Sequence, residues 1–343
     1  MYLTDKGLRE SAASLAKPGQ ILLVTRTGVG KVAVSPCALS YSQDITAISE
    51  DRGRVARDYL VHYLKSRQTW LVDRARGATI KGVTRDVVRR MPIPLPPLDE
   101  QRRLAAVLDG AASVASSARR TTELVDELQV SAFAQAVGID QGSETVLVEE
   151  LVDHGHGGIR TGPFGSQLLH SEFVDAGVQV LGIDNAVSNE FRWGGRRFIT
   201  EGKYAALKRY TVNPGDVLIT IMGTCGRVAV VPDDIGVAIN TKHLCCITLD
   251  HRRCLPEFLQ AYFLHHPEAQ RYLRSRAKGA IMDGLNMGII KALPVILPPI
   301  SSQAELVRRL AEMDATRERM RDRNVTMGRL TAALTQRAFA GEL

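Results

Sequence analysis

The residues most suggestive of chemistry lie in TRTGVGKVAV, 25–34, where Gly28, Gly30 and Lys31 follow the apolar run Ile21-Leu22-Leu23-Val24. Glycines beside a lysine after a strand are the raw material of a phosphate loop. Its backbone N–H groups cradle phosphates, its Lys reaches them, and a hydroxyl holds Mg²⁺. That loop needs G-x-x-x-x-G-K-[ST]. Here Thr25 stands where the first Gly belongs, Val32 follows Lys31, and KVAV reads as a strand rather than a helix. A second candidate is His154 and His156 beside Asp153, with His265-His266 further on. Two imidazoles can ligate a metal, but no Cys/His cluster accompanies them, and loop polarity is the commoner reason for such residues. There is no Asn/Asp-Pro-Pro-aromatic motif for amino methylation and no G-x-G-x-x-G after a strand. The chain therefore reads as non-catalytic, with no metal and no cofactor of its own.

The glycine-lysine stretch has another explanation. PGQILLVTRTGVGKVAVSP (18–36) recurs without gaps as PGDVLITIMGTCGRVAVVP (214–232), and YLTDK (2–6) matches FITEG (198–202). What persists is a Gly and a basic residue in a turn between two strands. RARGATIKGV (74–83) matches RAKGAIMDGL (276–285), and MPIPLPPLDEQRRL (91–104) matches LPVILPPISSQAEL (293–306), now with six extra residues in the second copy. LVDELQVSAFA (124–134) matches LTAALTQRAFA (330–340). Two copies are too few for a solenoid and indicate a duplicated domain.

The chain has 343 residues, enough for two or three domains. No run of about 18 apolar residues is present, hence no membrane span is expected. The start lacks a secretory pattern, and the five cysteines (37, 225, 245, 246, 254) form no C-x-x-C pair. Reduced thiols in a cytoplasmic protein are expected. Net charge is +7, with +8 on 1–98, +3 on 151–300, −6 on 99–150 and +2 on 301–343. Basic globular parts suit a polyanion such as DNA.

Each repeat opens with short strands, QILLVT and KVAVS, then DVLITI, RVAVV and HLCCITL, punctuated by Gly and Pro. A helix is predicted over 58–74 and 257–276, then a loop, GATIKG or GAIMDG, then a Pro-rich extended connector. Long helices follow, roughly 99–137 and 301–340. Leu104, Leu108, Ala111, Ala115, Ala118, Thr122 and Val125 alternate at spacings of four and three. So do Leu306, Leu310, Met313, Arg317, Met320, Asn324, Met327, Thr331 and Leu334. That is a heptad seam. A small-residue seam facing a Met-rich one predicts antiparallel pairing within one chain, each helix about 55–60 Å long.

IPLPPLDEQ (93–101) leading into a long helix, GIRTGPFGSQL (158–168) and RYTVNPGDVLI (209–219) resemble the specificity subunits of type I restriction-modification systems. The second connector keeps Gln303 but has lost the Asp-Glu of the first. The resemblance implies an α+β protein. Two α/β target-recognition domains alternate in it with two long helices paired as an antiparallel coiled coil. Residues 1–98 would be the C-terminal part of the first such domain, 99–140 the first spacer helix, 147–300 the second domain and 301–341 the second helix. It also implies double-stranded DNA as ligand, read as a bipartite target. Two methylation subunits would carry S-adenosylmethionine chemistry on adenine, and a restriction/translocase subunit could join them.

For phosphate contacts the basic residues in turns stand out: Arg160, Arg227, Lys242 and Lys278 in the second copy, Arg26, Lys31, Arg76 and Lys81 in the first. The loop Gly162, Pro163, Phe164, Gly165 and Ser166 is Gly-punctuated, so its backbone could approach DNA. Phe164 reads as a groove wedge or, the favoured reading, a core anchor beneath the loop. Candidates for base edges are Gln167, Asn240, Asn286 and Thr79. A coiled-coil scaffold without DNA recognition, or an autonomous nuclease or NTPase, are the competing classes. The second copy opens about 50 residues before the point matching Tyr2. The first copy is therefore expected to lack its opening strands and to be completed by a short separate specificity fragment or, failing that, a second specificity chain; a truncated or misassigned start is the alternative.

Overall fold

The structure, a computed structural model, describes residues 4–10, 13–49, 53–77, 79–139, 142–277 and 284–343. The chain forms two compact units, 1–122 with 319–343, and 123–318. Each unit contains an α/β domain and part of both long helices.

In the first unit, helix α1 (Asp5–Glu10) precedes strands β1 (Ser14–Ala16), β2 (Ile21–Val24), β3 (Val32–Val34), β4 (Leu39–Tyr41) and β5 (Ile45–Ile48). Strands β3, β2 and β5 form an antiparallel sheet in that order, and β1 pairs with β4. Helices α2 (Arg57–Ser66), α3 (Gln68–Asp73) and α4 (Arg85–Arg89) follow, then the connector and α5 (Leu98–Ile139). The second unit runs β6 (Glu144–Leu147), β7 (Ile159–Thr161), β8 (Val178–Leu181), β9 (Phe198–Ile199), α6 (Glu201–Leu207), β10 (Thr211–Val212), β11 (Val217–Thr220), β12 (Val228–Val230), β13 (Ala238–Asn240) and β14 (Leu244–Ile247). It continues through α7 (Pro256–His265), α8 (Pro267–Arg276), α9 (Met287–Lys291), β15 (Pro294–Leu297) and α10 (Ile300–Ala340). Its sheets have the orders β12-β11-β14-β7 and β10-β13-β8-β9, and β15 pairs with β6.

The duplication is therefore structural. The β2–β3 hairpin and the β11–β12 hairpin close with the same bonds: Gly30 N–H to Val24 at 2.9 Å, Gly226 N–H to Thr220 at 2.8 Å. Both glycines have positive φ, +87° and +80°, which strains any side chain but suits Gly. Thr84 caps α4 as Asn286 caps α9. Near the ends of the long helices, Phe339 packs edge-on against Tyr59 and Tyr63, and its repeat equivalent Phe133 packs on Phe258 and Tyr262. The six extra residues enter in two steps. Ile247 follows Ile48 by 199 positions rather than 196, so three precede β14, and three more lie beyond α7.

The single helix expected over 257–276 is two helices. Pro267 has no N–H to continue α7 and disfavours helix at the residue before it, so His266 is extended (φ −75°, ψ 122°). The helix expected over 58–74 also breaks, at Arg67 (φ −97°, ψ 12°), without a proline. The second connector is a β-strand rather than a spacer. Both seams hold: the named α5 and α10 positions are the less exposed ones on their helices. In the first unit Asn324 donates to Thr122 Oγ1 at 2.9 Å. In the second, Gln129 donates to Asp314 at 3.1 Å, and Arg317 pairs with Asp126. Partner numbers fall on one helix as they rise on the other, so the pairing is antiparallel in each unit.

One buried amide ties each long helix to its domain. Gln101 accepts from Ala56 N–H (2.8 Å) and donates to the carbonyls of Pro96 (2.8 Å) and Arg54 (3.1 Å). Gln303 does the same with Leu255 N–H (2.9 Å), Pro298 (2.8 Å) and Arg253 (2.9 Å), and is fully buried. Removing it strands a backbone donor and two acceptors. Gln303→Ala is expected to cost about 1–3 kcal/mol, lowering the thermal midpoint by about 2–4 °C per kcal/mol. An unchanged midpoint in calorimetry would show the amide to be dispensable.

Candidate nucleic-acid interface

Strand directions gather the second unit's loops at one end. β8 and β13 run parallel, and β11 runs antiparallel to β12 and β14, with Thr220 opposite Leu244 and Thr161 opposite Cys245. Loops 162–167, 182–197, 221–227 and 241–243 thus leave the sheets together. Backbone bonds tie them: Thr241 N–H to Leu181 (2.8 Å), Ile221 N–H to His243 (2.9 Å), Leu285 N–H to Ile221 (2.8 Å). Gly162 lies so close to the Asn240 carbonyl that a Cβ would collide with it. That is the reason a glycine opens the GPFGS loop.

Within that loop Gly162 and Pro163 are buried, whereas Phe164, Gly165, Ser166 and Gln167 face out. Phe164 is 48% exposed, so it is not the core anchor favoured from the sequence; the loop is pinned from beneath by Gly162 and Pro163 instead. Gln167 Oε1 accepts from Phe164 N–H (3.2 Å) and Tyr210 Oη (2.9 Å), which holds the turn. Loop 182–197 is built around Asp184, which accepts from Gly195 N–H (2.6 Å) and pairs with Arg197. Burial pushes its carboxyl up, but Arg197 and Gly195 outweigh this and hold it below the usual carboxylate range. Asn185 fastens the same loop through Gly182 N–H and the Arg192 carbonyl. The loop presents Arg192, Arg196 and Trp193, which is 54% exposed and edge-on to Phe191. Burial and the nearby cations Lys242 and Arg197 keep His243 below its ordinary range, so its ring is neutral near pH 7. Lys242 is half-buried and Arg227 exposed. Arg192, Trp193, Arg196 and His243 lie outside the candidates that the sequence singles out, although RWGGRR (192–197) carries a basic and aromatic signal.

Three second-copy candidates stand elsewhere than expected. Arg160 is not in a turn: it lies in β7 opposite Cys246, with its side chain turned inward. Its guanidinium donates to Asp216 (2.7 Å), Thr248 Oγ1 (2.7 Å) and the Thr211 carbonyl (2.5 Å), and these partners hold it inside the domain. Asn240 is fully buried and donates to the Leu244 carbonyl at 2.9 Å, shaping the turn into β14 rather than facing a ligand. Asn286 is exposed, but its side-chain Oδ1 caps α9 by accepting from Ile289 N–H at 2.9 Å. Lys278 lies outside the described residues.

The first unit brings its candidates together. Gly82 bridges both Arg26 and Arg76, and Val83 N–H bonds the Thr25 carbonyl at 2.9 Å. Arg26, Lys31, Arg76, Thr79 and Lys81 are all exposed on the 25–31 turn and the 76–82 loop. A shallow groove of about 490 Å³ lies between these segments, lined by Thr27, Gly28, Val72, Thr79, Ile80 and Lys81. His156 pairs with Asp153 at 2.8 Å, and among the described residues no group of three or more His, Cys, Asp and Glu side chains converges as a metal site. Nor, among them, is any helix long and apolar enough to cross a membrane.

Comparison with known proteins agrees with this duplicated layout. The family described as "Type I restriction modification DNA specificity domain" matches residues 4–123 and 175–326. The EcoBI type I restriction enzyme specificity subunit of Escherichia coli is 22% identical over 329 residues, covering 88% of this chain and 69% of its own length. The EcoKI specificity subunit of Escherichia coli strain K12 is 25% identical, covering 83% and 65%. The chain thus spans about two thirds of the length of these curated relatives. A chain from a type I R-M system, described for its complex assembly and conformational transition, superimposes with TM-score 0.65 at 18% identity, covering 98% of this chain and 86% of that one. The type I restriction-modification S subunit from M. genitalium gives 0.52 at 12% identity, covering 94% and 83%. With the family model matching well over half its residues, this chain belongs to the type I restriction-modification DNA specificity domain family.

Proposed function

We propose that the chain is the DNA sequence-specificity subunit of a type I restriction-modification complex, with each α/β domain reading one half of a bipartite target. The observation that carries this reading is the doubled domain, each copy presenting exposed basic loops next to its β-hairpin, in a chain of this family. Phosphate contacts come from Arg227, Lys242, Arg192 and Arg196 in the second unit and from Arg26, Lys31, Arg76 and Lys81 in the first. They supply affinity and register. Base contacts come from Phe164, Trp193, Ser166 and Gln167. The long helices separate the half-sites and offer surfaces to two methylation subunits. Those subunits carry S-adenosylmethionine and methylate adenine, and a restriction/translocase subunit acts on the same assembly. The chain itself contributes recognition and no catalytic group.

Exchange of residues 147–293 for the equivalent part of another specificity subunit, with a methylation subunit present, is expected to change one methylated half-site and leave the other. The chain alone with DNA and S-adenosylmethionine is expected to transfer no methyl group. Change in both halves, or methylation by the isolated chain, refutes the reading.

Lys242→Ala is expected to weaken DNA binding across sequences and to reduce the slope of log K against log salt by about one unit. Arg160→Ala is expected to act differently, lowering stability by leaving Asp216 buried and unpaired. A salt slope unchanged by Lys242→Ala removes that residue from the interface. Inserting one further turn, about four residues, into both long helices is expected to lengthen the spacer between half-sites. A fixed spacer would leave the helices as docking surfaces alone.

A further inference from the structure

One difference between the two units lies beside the connector. In the second, β6 and the short helical turn after it carry Val146, Val148, Leu151 and Val152 into the core, all buried, against Ile247, Phe263, Ile290, Leu293 and Val295. β6 also pairs antiparallel with β15, Val295 opposite Val146 and Leu297 opposite Glu144. The repeat equivalents in the first unit are Ile48, Leu64, Val88, Met91 and Ile93. They line an open groove of about 560 Å³. Ile247, Ile290 and Val295 are fully buried, whereas Ile48, Val88 and Ile93 are only partly so. Leu297 is 5% exposed; its equivalent Leu95 is 46% exposed.

The backbone is poised in the same way. In the second unit the Ile296 N–H faces away from β6, donating to Tyr262 Oη at 3.2 Å. In the first connector, the repeat equivalents of Pro294 and Ile296 are Pro92 and Pro94. Their carbonyls accept from Tyr63 Oη and from Tyr59 Oη (2.9 Å). The prolines therefore remove N–H groups only from the tyrosine side. Alternation along an extended chain turns the backbone N–H and C=O of Ile93 and Leu95 away from the tyrosines, to the side where a strand would pair with them. An edge with no strand partner among the described residues, beside an apolar slot, is the arrangement that takes up an extended peptide. Main-chain bonds supply affinity and alternate side-chain pockets supply specificity.

We propose that this groove is a strand-acceptor site. Its occupant is an extended peptide segment patterned like residues 144–152, with apolar side chains at the spacing of Val146, Val148, Leu151 and Val152. The segment lies antiparallel to 92–95, in the register of β6 on β15. The proposal stands on the internal repeat and the groove, independently of the DNA-reading role.

The test uses the full chain and a fluorescent peptide of residues 143–154 (SETVLVEELVDH), followed by anisotropy and hydrogen exchange. Expected are saturable binding and slowed exchange at Ile93 and Leu95. Peptides carrying Val148→Asp or Leu151→Asp are expected to bind at least tenfold more weakly, as is Ile93→Asp in the protein. The peptide variants decide the matter if that protein variant fails to fold. No saturable binding, binding indifferent to the peptide variants, or protection confined to 244–249 would overturn the proposal.

Discussion

A buried side-chain amide at the foot of each long helix is the constraint on which the rest of the architecture hangs. Gln101 and Gln303 each satisfy one loop N–H and two carbonyls, one of them a proline carbonyl of the connector just before the helix. A glutamine reaches both sides of such a gap because it donates and accepts from one planar group; glutamate or leucine would leave donors or acceptors buried and unmade. With the amide in place, the first helical turn, the connector and the loop leading into α2 or α7 are locked together. The helix direction, the edge presented by the connector and the packing of Phe133 or Phe339 over the domain helices then follow from it.

Much of this was legible in the sequence, for identifiable reasons. The hairpins were visible because Pro-Gly, a Gly-plus-basic turn and apolar runs recur in the same order. The long helices were visible because no proline interrupts them and because the seam at Leu104, Leu108 and Ala115 obeys a heptad. Gln303 persisted where the neighbouring Asp-Glu did not, yet its role needed the fold, since the loop it binds through Leu255 and Arg253 lies some 50 residues away in the chain. Side-chain direction was the illegible part. β14 is buried at all four positions, so alternation gave no hint of where the opposing Arg160 would point. Phe164 looked like core by composition, but a glycine packed against Asn240 and a buried proline already held its loop.

The copies have also diverged electrostatically. Arg160, Asp216 and Thr248 form a buried charged network in the second unit, with Cys246 donating to the same carboxylate at 3.1 Å. At the repeat equivalents of Asp216 and Thr248 the first unit has Gln20 and Ser49, joined by a neutral bond of 2.6 Å. A neutral pair carries no desolvated charge and asks for no cation opposite it. The two domains thus share a backbone scheme while placing different demands on the residues that complete them, which is how a duplicated scaffold can come to prefer two different ligands.

The matched ends of the long helices hold the two domains in the same way. In the second unit the strand that fills the core follows α5 directly, shortly after Phe133. Phe339 occupies the equivalent place on α10, and beyond it Arg103 binds the Leu343 carbonyl at 2.9 Å, within the first unit. Each α/β domain is thus gripped by the start of one long helix and the end of the other: Leu104 and Ala338 meet at Tyr59 in the first unit, and Leu306 and Phe133 join the core of Phe258 in the second.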